Sequence, residues 1–378
     1  MNNPQPILRH IDTYSEFLAI AGEWNNLVEQ IEEKSVFLRH EWFDAAWQWR
    51  QHSGELQILT IYQSDALIGI CPLMKDHLPQ FKMRLKRIQF LTIPDTQFCD
   101  IIAHDKDKPL VIETFGRWLN NPEHKWDILD LSYLPATSIT CELLPAALEK
   151  NNIDNHLQQV EQNPYIDLEA NWESFYSTCS RRLKKGNNLI RNRLQKEGEI
   201  HIVQARDPEH VRQALDVLKT LSAKSWKQTT NTTFDNEAPK SFIERLTTHA
   251  EKNNWASIWL LYLNDKPLAA EYQLIYNNEI FALRADFDET ASELSPGSYL
   301  NWKLLESLFG HKQKRYYMGP GKNAYKKRWS KLSIPIVRIN GFNKTIRGRM
   351  SIFIERYLRP VKHKLAQHNK TCTPAKKA

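Results

Sequence analysis

The sequence has few cysteines, and none of them forms a pattern typical of a disulfide scaffold or a zinc site. Its five cysteines lie far apart along 378 residues and include no C-x-x-C pair. The thirteen histidines include no H-E-x-x-H motif, and neither G-x-S-x-G nor G-x-x-x-x-G-K-[ST] occurs. These absences argue against metalloproteases, serine hydrolases and P-loop nucleotide-binding proteins, and we expect no metal site.

Long apolar stretches are also lacking. The most apolar short stretch, Ile258–Leu263, is far shorter than the roughly 20 residues that span a bilayer. The first seventeen residues contain no apolar core of signal-peptide length. We therefore expect a cytoplasmic protein, with peripheral attachment to the inner membrane as the alternative.

Charge is present in abundance but is unevenly distributed. Residues 311–378 hold 19 lysines and arginines against one acidic residue, Glu355, which is a formal charge of +18. The preceding 310 residues hold 32 basic and 43 acidic residues, a formal charge of −11. The basic C-terminal fifth favours an anionic partner, such as nucleic acid, an anionic lipid surface or a phosphorylated substrate.

The length suggests two domains or one large one, and the periodicity predicts both helices and strands. The two halves show a weak internal echo, because an aromatic-rich helix is followed by a strand pair in each. In the first half we predict a helix over Phe37–Trp49 and strands over Leu56–Tyr62 and Leu67–Leu73. In the second half we predict helices over Pro208–Trp226 and Pro239–Asn253, then strands over Ser257–Leu263, Leu268–Tyr276 and Ile280–Ala285.

The start of a predicted helix at Ser295-Pro296-Gly297 is a candidate anion site. Ser295 suits the N-cap, Pro296 the first helical position, and Gly310 lies just past the end. Free N–H groups and the helix dipole at such an N-terminus favour a pyrophosphate or a carboxylate, and Gly297 allows close approach. An ordinary capped helix is the alternative.

Two basic segments could line the same site. After an aromatic strand, Gly319-Pro320-Gly321 forms a turn, and Lys322, Lys326 and Arg328 follow it, where they could hold phosphates or a developing oxyanion. Seven basic residues stand in Ser180–Lys196 before the next acid. That segment is either an anion-binding wall or an exposed helix face.

Taken in order, these pieces resemble the GNAT-superfamily acyltransferases of the CelD type (cellulose and exopolysaccharide biosynthesis), relatives of the FemAB peptidyltransferases. The resemblance rests on Ser180–Lys196, Asp286-Phe287-Asp288, Ser295-Pro296-Gly297, Gly319-x-Gly321 and Tyr325-Lys326-x-x-Trp329. It implies an α/β fold of two tandem GNAT-like domains with mixed sheets flanked by helices. We expect these domains over 12–168 and 169–340, followed by a basic helix and tail over 341–378.

The resemblance also implies an activity. Its members acylate an amine or hydroxyl of a sugar, polysaccharide or cell-envelope precursor from acyl-CoA, or from aminoacyl-tRNA in the FemAB branch. The expected donor contacts are Ser295, Gly297, Ser298, Gly319, Gly321, Lys322 and Tyr325. The expected acceptor contacts are Arg181, Arg182, Trp226 and Arg284. The GNAT loop Arg/Gln-x-x-Gly-x-Gly/Ala is not recognisable, which leaves an aminoacyl-tRNA donor and a non-catalytic binding module open.

Direct transfer needs a base for the acceptor proton. Asp286 and Glu271 lie on adjacent predicted strands and are the candidates, although Glu271 could equally be a paired sheet residue. Tyr325-Lys326 matches the aromatic-lysine pair at the FemAB reacting centre, and Lys326 would stabilise the oxyanion or a phosphate.

Residues 346–365 have apolar positions spaced by three or four with basic residues between them, which predicts a basic amphipathic helix interrupted at Pro360. This helix could dock on the acidic body, lie on anionic lipid or hold tRNA. A plain RNA-binding protein is a weaker alternative, because no RNA-recognition motif is present.

Overall fold

The computed structural model describes residues 5–80, 82–225, 232–321 and 323–355. The strands are β1 (Ile7–Ile11), β2 (Glu55–Leu56), β3 (Ile58–Gln63), β4 (Ala66–Cys71), β5 (Leu73–Gln80), β6 (Met83–Phe90), β7 (Ile102–Ala103), β8 (Ile128–Pro135), β9 (Asp154–Asp167), β10 (Ile200–Ala205), β11 (Ala256–Leu263), β12 (Lys266–Tyr276), β13 (Glu279–Phe287), β14 (Arg315–Tyr317) and β15 (Ser333–Phe342). The helices are α1 (Tyr14–Ala19), α2 (Ala21–Gln30), α3 (His40–Arg50), α4 (Lys108–Asn120), α5 (Thr140–Lys150), α6 (Trp172–Thr178), α7 (Arg181–Glu197), α8 (Pro208–Ala223), α9 (Glu237–Lys252), α10 (Pro296–Leu308), α11 (Lys326–Trp329) and α12 (Ile346–Phe353).

One mixed sheet runs through both halves of the chain. Its eleven strands have the order β10-β11-β12-β13-β14-β9-β15-β8-β6-β5-β2, and β1-β3-β4-β7 form a second, smaller sheet. The long strand β9 pairs with β14 and, over most of its length, with β15. Strand β15 pairs in turn with β8 of the first half. The domain boundary predicted at residue 168 therefore falls in a region where the sheet itself is continuous.

Helices cover both faces of the second-half strands, which explains why β11 and β12 are almost wholly buried. On one face, α8 packs on β11, β12 and β13, and α9 packs on β11 and against α3 of the first half. The buried residues of α9 recur every three or four positions, and Phe242 meets Trp42 edge to face at 5.5 Å. On the other face, α10 packs on the same strands and against α7.

A buried ionic cluster joins the two halves. The carboxylate of Asp44 on α3 is fully buried. It accepts hydrogen bonds from Tyr14 Oη, from Arg245 Nε on α9 and from His249 Nε2 on α9, each at 2.6 Å. Because an unpaired buried charge is costly, these three partners fix how α3 and α9 meet.

Several predicted elements differ in their ends. The helix predicted over Phe37–Trp49 is divided, because Arg39 has an extended backbone between a 3₁₀ helix over Val36–Leu38 and α3. Helix α8 ends at Ala223 rather than at Trp226. The connection after β13 holds a 3₁₀ helix, Glu289–Leu294. Of the basic helix predicted over 346–365, the described part is α12.

None of the helices in the described ranges is both long enough and apolar enough to cross a membrane.

Candidate active site

A cavity of about 1280 Å³ opens where β13 and β14 separate. The two strands pair in parallel only over Glu279–Phe281, whereas β13 pairs with β12 along its whole length. In the described part of the chain, residues 282–287 of β13 therefore have a strand neighbour on one side alone. The cavity occupies the other side of these residues.

The cavity reaches both faces of the sheet. Ala270 pairs with Asp286 and Glu271 with Ala285, and side chains alternate along a strand, so Asp286 and Glu271 point to opposite faces. The Asp286 face is that of α8 and α9, and the Glu271 face is that of α10. Both carboxylates line the cavity. The gap between β13 and β14 thus joins two compartments.

The N-terminus of α10 opens into the cavity, since Ser295, Pro296, Gly297 and Ser298 all line it. Ser295 occupies the N-cap in a left-handed conformation (φ 53°), and its side chain makes no capping hydrogen bond, contrary to the sequence-based expectation. Its carbonyl instead accepts the N–H groups of Ser298 and Tyr299. A Cβ on Gly297 would stand 3.5 Å from Phe287, an ordinary contact. The positive end of the helix dipole faces the cavity, which suits an anion.

Lys326, Glu271 and Tyr316 form a buried polar cluster at the cavity wall. Lys326 is 6% exposed and Glu271 is 4% exposed. Lys326 Nζ donates to the carbonyls of Gly319 at 2.8 Å and Pro320 at 3.0 Å. Glu271 Oε1 accepts from Tyr316 Oη at 2.7 Å and from Gln273 Nε2 at 2.8 Å. Among the described residues, these two carbonyls are the hydrogen-bond acceptors of the Lys326 ammonium, which has three donors.

Burial shifts the pKa values of this cluster. Burial lowers the pKa of Lys326 to about 8, against the opposing charges of Glu161 and Glu271. Burial raises the pKa of Glu271, although the hydrogen bonds from Gln273 and Tyr316 and the charge of Lys326 act in the other direction. A lysine and a carboxyl with pKa values displaced toward neutrality are typical of groups that exchange protons or stabilise charge during a reaction.

The glycine turn holds Lys326 in place. Gly319 has φ +79° and Gly321 has φ +116°, in the left-handed region that favours glycine. The N–H of Gly321 donates to the carbonyl of Gln162 on β9. The turn therefore fixes the two carbonyls that bind Lys326, while Tyr325 at the start of α11 lines the cavity beside it.

The first half of the chain contributes residues that the sequence did not reveal as site candidates. Gln97 Nε2 donates to the carbonyl of Ala282 on β13 at 2.8 Å, and the buried Asn163 on β9 donates to Gln97 Oε1. Asp95 Oδ2 lies 2.9 Å from Arg284 Nε, and the two groups form an ion pair. No local motif marks Asp95 or Gln97, because only the fold brings them to β13.

Of the four predicted acceptor contacts, two line the cavity, one does not, and one lies outside the described residues. Arg284 lines the cavity, but its guanidinium is paired with Asp95 and lies 4.6 Å from the ring centre of Phe234. On α7, Arg182 lines the cavity and Arg181 does not. Trp226 and Lys322 lie outside the described residues.

Asn301 on α10 is a further lining residue without a sequence signal. It is 6% exposed, and its Nδ2 has no hydrogen-bond partner among the described residues. Within those residues no group of three or more His, Cys, Asp or Glu side chains could hold a metal ion.

Comparisons with known proteins give a family match for the second half and a shared fold for most of the chain. Residues 182–327 match the acetyltransferase (GNAT) domain family. Three solved structures share the fold across most of their length. FemX is 9% identical, with a TM-score of 0.56, and the match covers 92% of this chain and 100% of FemX. The C-terminal domain of a protein assigned as a lysylphosphatidylglycerol synthetase from Agrobacterium fabrum is 10% identical, with a TM-score of 0.53 over 89% and 95% of the two chains.

The third structure is a tandem GNAT protein from the clavulanic acid biosynthesis pathway, which is 9% identical, with a TM-score of 0.50 over 90% and 100% of the two chains. No curated protein matches the sequence. The expected fold is confirmed: mixed sheets flanked by helices, as in tandem GNAT proteins, with an acetyltransferase-type domain in the second half.

Proposed function

We propose that this chain is an acyltransferase that moves an acyl group from acyl-CoA to an amine or hydroxyl of a sugar, polysaccharide or cell-envelope precursor. The observation that carries the proposal is the cavity between the diverging strands β13 and β14, which joins an anion-attracting helix end on one face of the sheet to a second compartment on the other. A reaction between two separate substrates needs such a shared opening.

The donor fits the α10 side of the opening. Its phosphates would lie at the N-terminus of α10 beside Arg182, where the helix dipole and the guanidinium both favour anions. Its amide-containing arm would lie in the cavity beside β13, where Asn301 Nδ2 offers a donor to a carbonyl. The acceptor would enter from the face of Arg284 and Asp286.

The chemical step is a direct transfer. The acceptor nitrogen or oxygen attacks the thioester carbonyl, a new C–N or C–O bond forms and the C–S bond breaks. The thiolate of CoA takes up a proton, and the acceptor loses one. Lys326 would stabilise the oxyanion, and Glu271, which lines the same cavity and interacts electrostatically with Lys326, would accept the acceptor proton at the opening between the two faces.

Aminoacyl-tRNA is a second candidate donor, and the surface of α7 favours it. Arg181, Lys185, Arg191, Arg193 and Lys196 are all exposed on this helix, whose first turns form the cavity wall. Cations beside the entrance suit a nucleic-acid backbone. FemX has a similar fold, which by itself indicates no donor.

The donor can be tested before the acceptor is known. Thermal unfolding is measured with CoA, acetyl-CoA, longer acyl-CoAs and aminoacyl-tRNA, and thiol release from any acyl-CoA that binds is then followed with panels of amino sugars and glycans. We expect a raised Tm with an acyl-CoA and acceptor-dependent thiol release. A raised Tm with aminoacyl-tRNA alone would replace the donor, and no response to any compound would favour a non-catalytic binding module.

A further inference from the structure

Helix α12 carries an apolar stripe that faces solvent. Ile346, Met350 and Phe353 follow one another at helical spacing and are 80%, 46% and 56% exposed. A surface helix normally turns such a stripe toward the core. Here the buried positions of the helix are the small residues Gly348 and Ser351. Ile352 also packs, partly buried, against an apolar cluster beneath the helix. The helix is therefore attached by that side and exposes the three residues of the stripe.

Close packing prevents the helix from rotating this stripe inward. A Cβ at Gly348 would stand 2.2 Å from the carbonyl oxygen of Asn343 and 2.9 Å from that of Asp127, so only glycine fits there. Thr345 caps the helix by accepting the N–H of Gly348 at 3.0 Å, and its hydroxyl donates to Asp127 Oδ1 at 2.7 Å. The orientation of α12 on the body is thus set by its backbone and its cap.

Cations surround the stripe. Lys344, Arg347 and Arg349 on and before α12 are exposed. Arg347 Nη1 donates to the carbonyl of Arg84 at 3.2 Å, which places α12 against the β5–β6 hairpin, where Lys82 and Arg84 are also exposed.

The acidic side chain beneath α12 is already hydrogen-bonded. Asp127 beneath the helix is buried and holds Thr345 and the N–H of Lys86. Glu355 is the single acid after residue 310, and the sequence beyond it adds seven lysines and arginines. The surface therefore combines three large apolar side chains with an excess of positive charge.

We propose that α12 and the β5–β6 hairpin form a docking surface for an anionic phospholipid membrane. Apolar side chains at the level of the lipid headgroups and a rim of Lys and Arg are what such a membrane binds. A second copy is a poorer occupant, because a two-fold contact through this face would bring the two sets of cations together. Nucleic acid would leave the apolar stripe exposed to water. The inference does not depend on the transferase chemistry.

Flotation of the full chain with vesicles tests this surface. Vesicles of phosphatidylcholine alone are compared with vesicles that also contain phosphatidylglycerol, at low and high salt. We expect binding to the anionic vesicles that weakens as salt rises. The variant Ile346→Ser/Met350→Ser/Phe353→Ser should bind at least tenfold less, with an unchanged thermal unfolding curve because these side chains are exposed.

The matched control is Ile7→Ser/Leu189→Ser/Val203→Ser. It removes three apolar side chains that lie outside α12 and are 58%, 57% and 47% exposed. It should bind vesicles like the original chain. Equal flotation of the α12 variant and the original chain would overturn the proposal, as would equal binding to neutral and anionic vesicles. Light scattering provides a further check: loss of a dimer in the α12 variant, without any change in vesicle binding, would assign the stripe to a second copy instead.

Discussion

At the residue scale, Lys326 is the side chain on which the proposed chemistry depends most. Replacing it with Ala should reduce turnover at least about 10²-fold, the usual cost of removing one donor to an oxyanion. Lys327 is exposed beside it and supplies a matched control, since Lys327→Ala removes a charge one residue away. Initial rates and Tm are measured for both. Similar rates for the two variants would remove Lys326 from the reacting centre.

The pH dependence follows from the pKa of Lys326, which burial lowers to about 8. The ammonium is cationic below this pKa, so kcat/KM should fall as the pH rises through about 8. In Lys326→Arg the guanidinium stays charged to much higher pH, and the decline near pH 8 should disappear from whatever activity remains. A decline that persists in Lys326→Arg would assign it to another group.

Glu271 and Asp286 can be separated because they point to opposite faces of the sheet. If Glu271 is the base, Glu271→Gln should lower kcat by about 10² to 10⁴ while KM changes little. Asp286→Asn should then act mainly on the KM of the acceptor. Tyr316→Phe is the control for the hydrogen bond to Glu271, and it should cost far less than Glu271→Gln. The reverse order of effects would make Asp286 the base.

Local sequence patterns could identify only part of this site. Lys326, the glycine turn and the start of α10 each stand in a recognisable short segment, so they could be predicted as candidates. The alternation of the sheet could not, because Glu271 and Asp286 lie on strands whose register depends on the bulge between Tyr272 and Gln273. Gln97 reaches Ala282 across 185 residues of chain, and no short pattern indicates such a contact.

At the element scale, the turn at Gly319 should be sensitive to any side chain. Gly319→Ala places a Cβ at φ +79°, with ordinary contacts of 3.5 Å to Ala282 O and 3.7 Å to Lys326 Nζ. The expected loss, about 1 kcal/mol of unfolding free energy, therefore comes from the backbone rather than from a clash. Activity should fall further, because the carbonyls that hold Lys326 shift.

For a glycine in a helix we expect the opposite change, a gain in unfolding free energy on substitution by alanine. Gly22 is the second residue of α2, and a Cβ there would meet nothing within 4 Å. Gly22→Ala should therefore raise the unfolding free energy by about 0.5–1 kcal/mol. Chemical denaturation measures both variants. Equal effects of the two substitutions would contradict the assigned role of the Gly319 conformation.

Elements with strong periodicity were predictable, and elements defined by distant pairing were not. The buried stripe of α9 and the apolar strands β11 to β13 are visible in the sequence. Strand β9 is polar along much of its length and is held by pairing with β14 and β15, so hydrophobic alternation does not mark it. Strand β15 pairs with β8 of the first half, and this pairing depends on contacts between residues far apart in the sequence.

At the scale of the whole molecule, the Asp44 cluster should govern stability in acid. Burial alone would raise the pKa of Asp44, but hydrogen bonds from His249, Tyr14 and Arg245 lower it to about 2. In the unfolded chain an aspartate has a pKa of about 3.9. The ionised cluster thus contributes roughly 2 kcal/mol above about pH 5, and this contribution is lost as the pH falls toward 2.

Asp44→Asn removes this charge and should lower the unfolding free energy at pH 7 by about that amount. The acid-induced loss of stability between pH 5 and pH 2 should become correspondingly shallower. Asp216→Asn is the control, because Asp216 forms an exposed pair with Lys219 worth less than about 1 kcal/mol. Parallel stability–pH curves for Asp44→Asn and the original chain would show that the cluster does not link the halves energetically.

The positive charge of the C-terminal fifth divides into two parts in the folded molecule. Lys326 and Arg328 on α11 line the cavity, whereas Lys344, Arg347 and Arg349 lie on and before α12 at the far end of β15. The sequence alone presents them as one basic region. The ten residues of β15 separate the cations at the cavity from those around α12.

The segment that carries Lys326 is attached to the sheet at a narrow base. Tyr317 pairs with Tyr165 of β9, and Ser333 pairs with the adjacent Pro164, so the fifteen residues between them leave and re-enter the sheet at neighbouring positions. A loop of that kind can be exchanged without altering the strands that hold its ends. Changes within this segment can therefore reshape the cavity wall that Lys326 and the glycine turn form, while the strand pairs at its two ends stay in place.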